Sequence, residues 1–191
     1  MRVPFTLLLV IFLFSCAAAQ DYSDLPVLEN ARLLHQQRAM LVLGGWAVGN
    51  IGVGLALRSN AEGSTRRFHE MNAIWNVVNL GIAGIGYFTL GGAETDILAG
   101  WRANLSFEKV LLFNAGLDVG YMLGGLYLRE RANRPDADAD RLRGYGSSII
   151  LQGGFLFLFD LANYFIAHGR DDAYGLLLGG TDNGMGLILS F

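Results

Sequence analysis

The sequence predicts an all-α membrane protein: a four-helix transmembrane bundle with an N-terminal amphipathic helix and a short C-terminal β-hairpin. Of the 191 residues, 52% are hydrophobic and only 16% are charged, whereas soluble domains carry about 25% charged residues. Four apolar stretches have the length of a membrane span, and the N-terminus has the pattern of a secretory signal. A soluble bundle would need charged helix faces, which these stretches lack.

The first element, residues 1–19, is a predicted signal peptide. An apolar run from Phe5 to Phe14 follows one positive charge, and small residues lead up to Ala19. This pattern predicts cleavage after Ala19 and export of the mature N-terminus. Lipidation of Cys16 is the alternative, and the bulky Phe14 disfavours it. Because Cys16 is the single cysteine, the cleaved chain would have no thiol for a disulfide or a thiolate metal site.

Residues 20–38 are predicted to form an amphipathic segment, in which Leu28 and Leu33 stand among Glu29 and Arg32. Such a segment is expected either to lie at the membrane interface or to extend the first span. The transmembrane domain is predicted for residues 39–168, with spans at about 40–57, 72–90, 110–128 and 147–167. Each span, as a helix, is long enough for a hydrocarbon core of about 30 Å.

Basic residues predict the orientation of the spans. The first and third loops contain eight arginines together, whereas the opposite side has five arginines and lysines. Because basic residues concentrate in cytoplasmic loops, both loops are expected in the cytoplasm. An exported N-terminus leads to the same arrangement. The predicted location is the bacterial inner membrane, with the mature N- and C-termini on the periplasmic side.

The last element, residues 169–191, is a predicted exported β-hairpin. Asn183 and Gly184 stand between two short apolar runs, and this dipeptide is a strong turn signal. The hairpin is expected to cap the bundle, and docking onto the sheet edge of a partner is the alternative.

Polar side chains recur near the middle of all four spans. On the second helix, Asn72, Asn76 and Asn79 follow i, i+4, i+7 spacing and share a face. Because polar groups are costly toward lipid, they should point inward and form hydrogen bonds across helices. The predicted layer comprises Asn50, Asn72, Asn76, Asn79, Asn114, Asp118, Tyr121, Gln152, Asp160 and Asn163. Similar depths in the membrane predict an Asn50–Asn79 contact and a separate Asp118–Asp160 neighbourhood.

Glycine is abundant, with 26 residues, and it recurs at four-residue spacing. Examples are the pair Gly45 and Gly49 and the run Gly116, Gly120 and Gly124. Small residues at this spacing allow close backbone approach between helices. They predict either a tightly packed bundle or a tight dimer seam.

The polar layer favours a structural or interaction role, in which hydrogen bonds fix the register of the helices. The alternative is a small transporter or a proton or ion channel that uses Asp118 and Asp160. An intramembrane enzyme with an aspartate dyad is less favoured, because Asp118 lacks a Gly-x-Gly-Asp signature. The partners expected are the lipid bilayer and a second copy or another membrane protein, and a net charge of −3 gives no reason to expect nucleic acid.

No catalytic residue, cofactor or metal site is predicted. The three histidines, His35, His69 and His168, form no helix-buried pair, and no Glu-x-x-His motif of a di-iron bundle occurs. The sequence also lacks a phosphate-binding loop, a nucleophile elbow and a zinc-spaced cluster.

Three segments carry a resemblance to a known family. They are Phe68-His69-Glu70-Met71-Asn72 with Trp75, Asn76 and Asn79; Glu108-Lys109 through Phe113 to Tyr121; and Arg143-Gly144-Tyr145-Gly146 with Gln152, Gly153, Phe159 and Asp160. Together they resemble an uncharacterised family of small multi-pass bacterial membrane proteins, over residues 30–168. The resemblance implies a helical membrane fold and assigns no activity.

Overall fold

The computed structural model describes residues 24–179, and every regular element in that range is a helix. The helices are α1 (Leu25–Arg58), α2 (Gly63–Phe88), α3 (Ile97–Arg131), α4 (Ala139–His168) and α5 (Asp171–Gly179). The predicted signal peptide lies outside the described residues. The predicted amphipathic segment and first span form one continuous helix, α1, so the polar segment extends the span.

Aspartate side chains fix the starts of three helices. Oδ1 of Asp24 accepts a hydrogen bond from the Val27 N–H (3.0 Å) at the start of α1. Asp96 does the same for α3 (2.8 Å) and Asp138 for α4 (3.1 Å), in each case with the N–H three residues on. These bonds satisfy N–H groups that have no partner within the helix, which is why the helices begin where they do.

The predicted C-terminal β-hairpin is wrong, because its first arm is the helix α5. Asp171 and Asp172 occupy the first turn of α5, where negative charge favours helix formation. Three leucines follow, and leucine has a high helix propensity. Tyr174 is fully buried with Leu28 of α1, so packing also holds this segment. The predicted turn at Asn183 lies beyond the described residues.

By length and hydropathy alone, three of the four predicted spans are identified among the described residues. The corresponding helical stretches are α1, α3 and Ala139–Gly179. The helix α2 is long enough, at 26 residues, but the amides of Asn72, Asn76 and Asn79 lower its mean hydropathy. All three amides are buried, whereas the large exposed side chains between Asn72 and Phe88 are apolar, among them Val77, Val78, Ile82 and Ile85.

Contacts divide the chain into two compact units. Unit 1 contains the described residues 24–32, Gly92–Leu112 and 160–179. Unit 2 contains Leu33–Gly91 and Phe113–Phe159. Buried polar side chains occur in both units.

Close helix contact in unit 2 uses other glycines than those predicted. A Cβ placed on Gly125 of α3 would lie 2.6 Å from the carbonyl oxygen of Gly146 on α4, so the two backbones touch at this point. On α1, a Cβ on Gly54 would lie 2.8 Å from the His69 carbonyl oxygen. The glycines with four-residue spacing make no such contact. Among the described residues, no atom lies within 4 Å of a Cβ built on any of them: Gly45, Gly49, Gly116, Gly120 and Gly124.

Candidate functional site

Four side chains of the polar region in unit 2 form a closed ring of hydrogen bonds, which we call the amide ring: Trp46, Asn50, Asn72 and Gln152. The Trp46 indole N–H donates to Gln152 Oε1 (2.9 Å), and Gln152 Nε2 donates to Asn72 Oδ1. Asn72 Nδ2 donates to Asn50 Oδ1 (2.9 Å), and Asn50 Nδ2 returns to the Trp46 carbonyl oxygen (2.8 Å). The ring therefore connects α1, α2 and α4 through neutral groups.

The other two asparagines of α2 continue from the ring along the same face. Asn76 Nδ2 donates to the Asn72 carbonyl oxygen (2.8 Å), and Asn79 Nδ2 donates to Asn76 Oδ1 (3.3 Å). The hydrogen-bond partner of Asn50 across helices is thus Asn72, where Asn79 was predicted. The i, i+4, i+7 spacing identified the buried face, but the position of α1 along α2 depends on packing that the spacing does not encode.

The remaining members of the predicted layer differ in burial. Asp118 and Gln152 are buried in unit 2, and Asp160 and Asn163 are buried in unit 1. Tyr121 is 38% exposed and packs edge-to-face on Trp75, with ring centroids 4.9 Å apart. Asn114 is partly buried. The Asp118–Asp160 neighbourhood therefore stays a prediction.

Unit 2 also contains a basic-lined cavity of about 610 Å³ between the starts of α2 and α4 and the end of α3. Arg129 and Arg143 line it together with Ser64 and Glu130. Nearby, Arg67 donates a hydrogen bond to Glu70 (2.9 Å) and thereby lowers the pKa of that carboxyl group, which therefore remains ionised.

Unit 1 encloses the carboxylate of Glu29, a residue of the predicted amphipathic segment. Its side chain is fully buried and pairs with Arg32, whose Nη2 lies 2.6 Å from Oε2. The Tyr174 hydroxyl donates to Oε1 (2.6 Å), and the Glu94 backbone N–H donates to Oε2 (2.9 Å). Gly100 makes room for this arrangement, since a Cβ there would lie 2.6 Å from Oε1. A buried carboxylate is tolerated because each oxygen has several donors.

A second polar group in unit 1 is organised by Asn104 of α3, which is fully buried. Its Nδ2 lies 2.8 Å from Glu108 Oε1 and 3.0 Å from Asp171 Oδ1, and it also contacts the Ala167 carbonyl oxygen. Its Oδ1 accepts a hydrogen bond from Nε of the buried Arg170 (3.0 Å). One amide thus connects α3 to the end of α4 and to the start of α5.

The imidazole of His168 faces two carboxylates in this group. Its Nδ1 lies 3.4 Å from Glu108 Oε2 and 3.3 Å from Asp171 Oδ2. One ring nitrogen of His168 and one oxygen from each carboxylate lie within 4.8 Å of one another. Glu108 is buried, whereas the His168 side chain is 57% exposed. We call Glu108, His168 and Asp171 the carboxylate–histidine group.

Sequence analysis missed both polar groups of unit 1 because their members are far apart in the chain. Glu108 and His168 are separated by 60 positions, and Glu29 and Tyr174 by 145. The local signals were weak: an i, i+3 pair of Glu29 and Arg32 within the predicted amphipathic segment, and two aspartates shortly after the last predicted span. The contacts of Asp171 and Tyr174 form because the chain continues from α4 into the helix α5. Sequence analysis had predicted a hairpin in that place.

Over residues 24–179 the protein is helical, and three of its helical stretches are long and apolar enough to cross a membrane. The chain belongs to a family of unknown function (DUF6992), whose model matches residues 42–161. This membership confirms the predicted resemblance to an uncharacterised family. No curated protein and no solved structure matches the chain. The amide ring lies within the matched residues, whereas His168 and Asp171 lie outside them.

Proposed function

We propose that this protein is an integral protein of the bacterial inner membrane with a structural role, in which its polar residues hold the helices in register. Its partners on this proposal are the surrounding lipid and either a second copy or another membrane protein. The proposal applies to the cleaved chain, with the mature N- and C-termini on the periplasmic side.

The observation that carries the structural role is the amide ring. Its donors and acceptors satisfy one another across three helices, as expected for groups that fix the register of a bundle. A proton path needs groups that change their protonation state, and tryptophan, asparagine and glutamine side chains do not. In the predicted polar layer, titratable side chains occur only at Asp118, Tyr121 and Asp160.

A flux assay with an Asp118→Asn variant tests the structural role against transport. Asp118 is buried, and an amide has nearly the same shape as a carboxyl group. We therefore expect D118N to fold with a stability within about 1 kcal/mol of the wild type. Liposomes containing either protein should dissipate an imposed pH gradient no faster than empty liposomes. Proton flux in the wild type that D118N abolishes would contradict the structural role and favour a channel.

The proposed orientation places the arginine-rich first and third loops in the cytoplasm. It requires α2 to cross the membrane as well as the three more apolar helices. The distribution of side chains on α2 supports this: its amides Asn72, Asn76 and Asn79 are buried, and from residue 72 onward its large exposed side chains are apolar. Toward lipid, α2 is therefore more apolar than its mean hydropathy suggests.

Single cysteines at three exposed acidic positions test this orientation: Glu62 before α2, Glu94 after α2 and Asp136 between α3 and α4. With Cys16 replaced, E62C and D136C should resist a membrane-impermeant maleimide in intact spheroplasts and react after permeabilisation. E94C should react in intact spheroplasts. Reversed labelling would overturn the orientation, and equal labelling of E62C and E94C would show that α2 does not cross.

A further inference from the structure

We propose that the carboxylate–histidine group of unit 1 binds one divalent transition-metal ion, Zn²⁺ being the ion that fits best. The ligands would be Glu108 Oε2, His168 Nδ1 and Asp171 Oδ2. They come from three different places: the middle of α3, the last residue of α4 and the first residue of α5. The site goes beyond the structural role proposed above, and its test does not depend on that role.

The distances suit a small tetrahedral ion. Zinc bonds to imidazole nitrogen and carboxylate oxygen measure about 2.0–2.1 Å, which places two ligands of a tetrahedron about 3.3–3.4 Å apart. Nδ1 of His168 lies 3.4 Å from the Glu108 oxygen and 3.3 Å from the Asp171 oxygen. One ligand atom from each of the three residues lies within 4.8 Å of the other two. Binding would require the two carboxylates to approach each other until both reach bonding distance from the ion.

Neighbouring side chains leave one oxygen of each carboxylate for the ion. Asn104 Nδ2 occupies the other oxygens, Glu108 Oε1 and Asp171 Oδ1, at 2.8 and 3.0 Å. The Trp101 indole N–H also donates to Asp171 Oδ1 (3.1 Å). Metal-binding carboxylates commonly have such hydrogen bonds, which set the direction of the ligand oxygen. The hydrogen bonds that would orient the two ligand carboxylates are therefore already present.

The charges in unit 1 also favour a cation at this point. The carboxylates of Glu108 and Asp171 face a single imidazole, that of His168, whereas the carboxylate of Glu29 already pairs with Arg32. Two carboxylates that converge on one imidazole repel each other unless a proton or a positive charge lies between them. A divalent ion supplies that charge.

One imidazole and two carboxylates select the metal. The imidazole favours Zn²⁺ and similar first-row ions over Mg²⁺ and Ca²⁺, which prefer oxygen ligands. Three protein ligands leave a fourth tetrahedral position for water or an external ligand. Because His168 is half-exposed, that position is open to solvent.

Zinc titration of the full chain tests the site. Purified protein in detergent micelles, stripped with EDTA and dialysed, should bind one Zn²⁺ per chain by isothermal titration calorimetry. His168→Ala and Asp171→Asn should each weaken the affinity about 10-fold or more, because each removes a ligand. The matched control is Asp172→Asn, which removes the neighbouring exposed carboxylate and should leave the affinity unchanged. Excess Mg²⁺ should not compete.

Cobalt provides an independent readout of the geometry. Co²⁺ at the same site should give the strong visible absorption of a tetrahedral complex in the wild type and lose it in H168A. The H168A result decides the question even if D171N fails to fold, because the exposed His168 ring can be removed without opening the buried part of unit 1. Wild-type protein without saturable zinc binding, or H168A with wild-type affinity, would overturn the site.

Discussion

Replacement of Glu29 by alanine is expected to destabilise the protein by about 3–5 kcal/mol, the range found when one partner of a buried ion pair is removed. The substitution removes the carboxylate that lies 2.6 Å from the buried guanidinium of Arg32. It also takes the hydrogen-bond acceptor from the Tyr174 hydroxyl and from the Glu94 N–H. The free energy of unfolding in mixed detergent micelles, followed by circular dichroism, measures the effect.

Glu94→Ala is the matched control for this prediction. The Glu94 side chain is exposed, and only its backbone N–H takes part in the hydrogen bonds of Glu29. Alanine keeps that N–H, so the E94A variant should unfold with nearly the wild-type free energy. Equal stabilities of E29A and E94A would mean that the ion pair of Glu29 does not hold unit 1 together.

Gly125→Val is expected to destabilise unit 2 by about 1–3 kcal/mol, as overpacking does in other proteins. A Cβ at this position would lie 2.6 Å from the Gly146 carbonyl oxygen and 2.7 Å from Cγ1 of Ile150. Part of that obstacle is backbone, so α3 and α4 would have to separate. The midpoint of thermal unfolding in detergent should fall accordingly.

The neighbouring Gly124→Val variant separates packing from helix propensity. Both substitutions introduce the same β-branched residue into α3, at adjacent positions. Within the described part of the chain, no atom lies within 4 Å of a Cβ built on Gly124. The unfolding midpoint of G124V should therefore stay close to that of the wild type. Similar losses in G124V and G125V would exclude the close contact between α3 and α4.

The all-helical class could be predicted from composition and span length. A chain segment that crosses a membrane must form all its backbone hydrogen bonds within the protein, and a helix does so within itself. The buried face of α2 followed from the spacing of Asn72, Asn76 and Asn79, and the structure buries all three. The hairpin prediction was wrong because it relied on the turn signal of Asn183-Gly184 for the whole of residues 169–191. The helix-forming residues from Asp171 to Gly179 are a longer signal, and burial of Tyr174 adds packing energy that no local pattern reveals.

The prediction that the regularly spaced glycines pack within the bundle was wrong for a different physical reason, whereas the alternative of a dimer seam stays a prediction. Four-residue spacing places Gly116, Gly120 and Gly124 on one face, but it does not say which face meets another helix. In the structure that face is open, and the contact uses Gly125 and Gly146, which belong to no regular stripe. The polar groups of unit 1 were missed for a related reason, since Asn104, Glu108 and Asp171 meet only when α3, α4 and α5 are packed together.

The length of α1 has a consequence for the bilayers in which it can reside. A helix of 34 residues measures about 51 Å, whereas the hydrocarbon core measures about 30 Å. Upright, α1 has about 20 Å more than one crossing uses, and its charged pair, Glu29 and Arg32, occupies the first two turns. The uncharged stretch of α1, residues 39–57, lies between Arg38 and Arg58 and measures about 28 Å. A bilayer thicker than average would therefore have to thin locally around α1, or the two arginine side chains would have to extend to the interface.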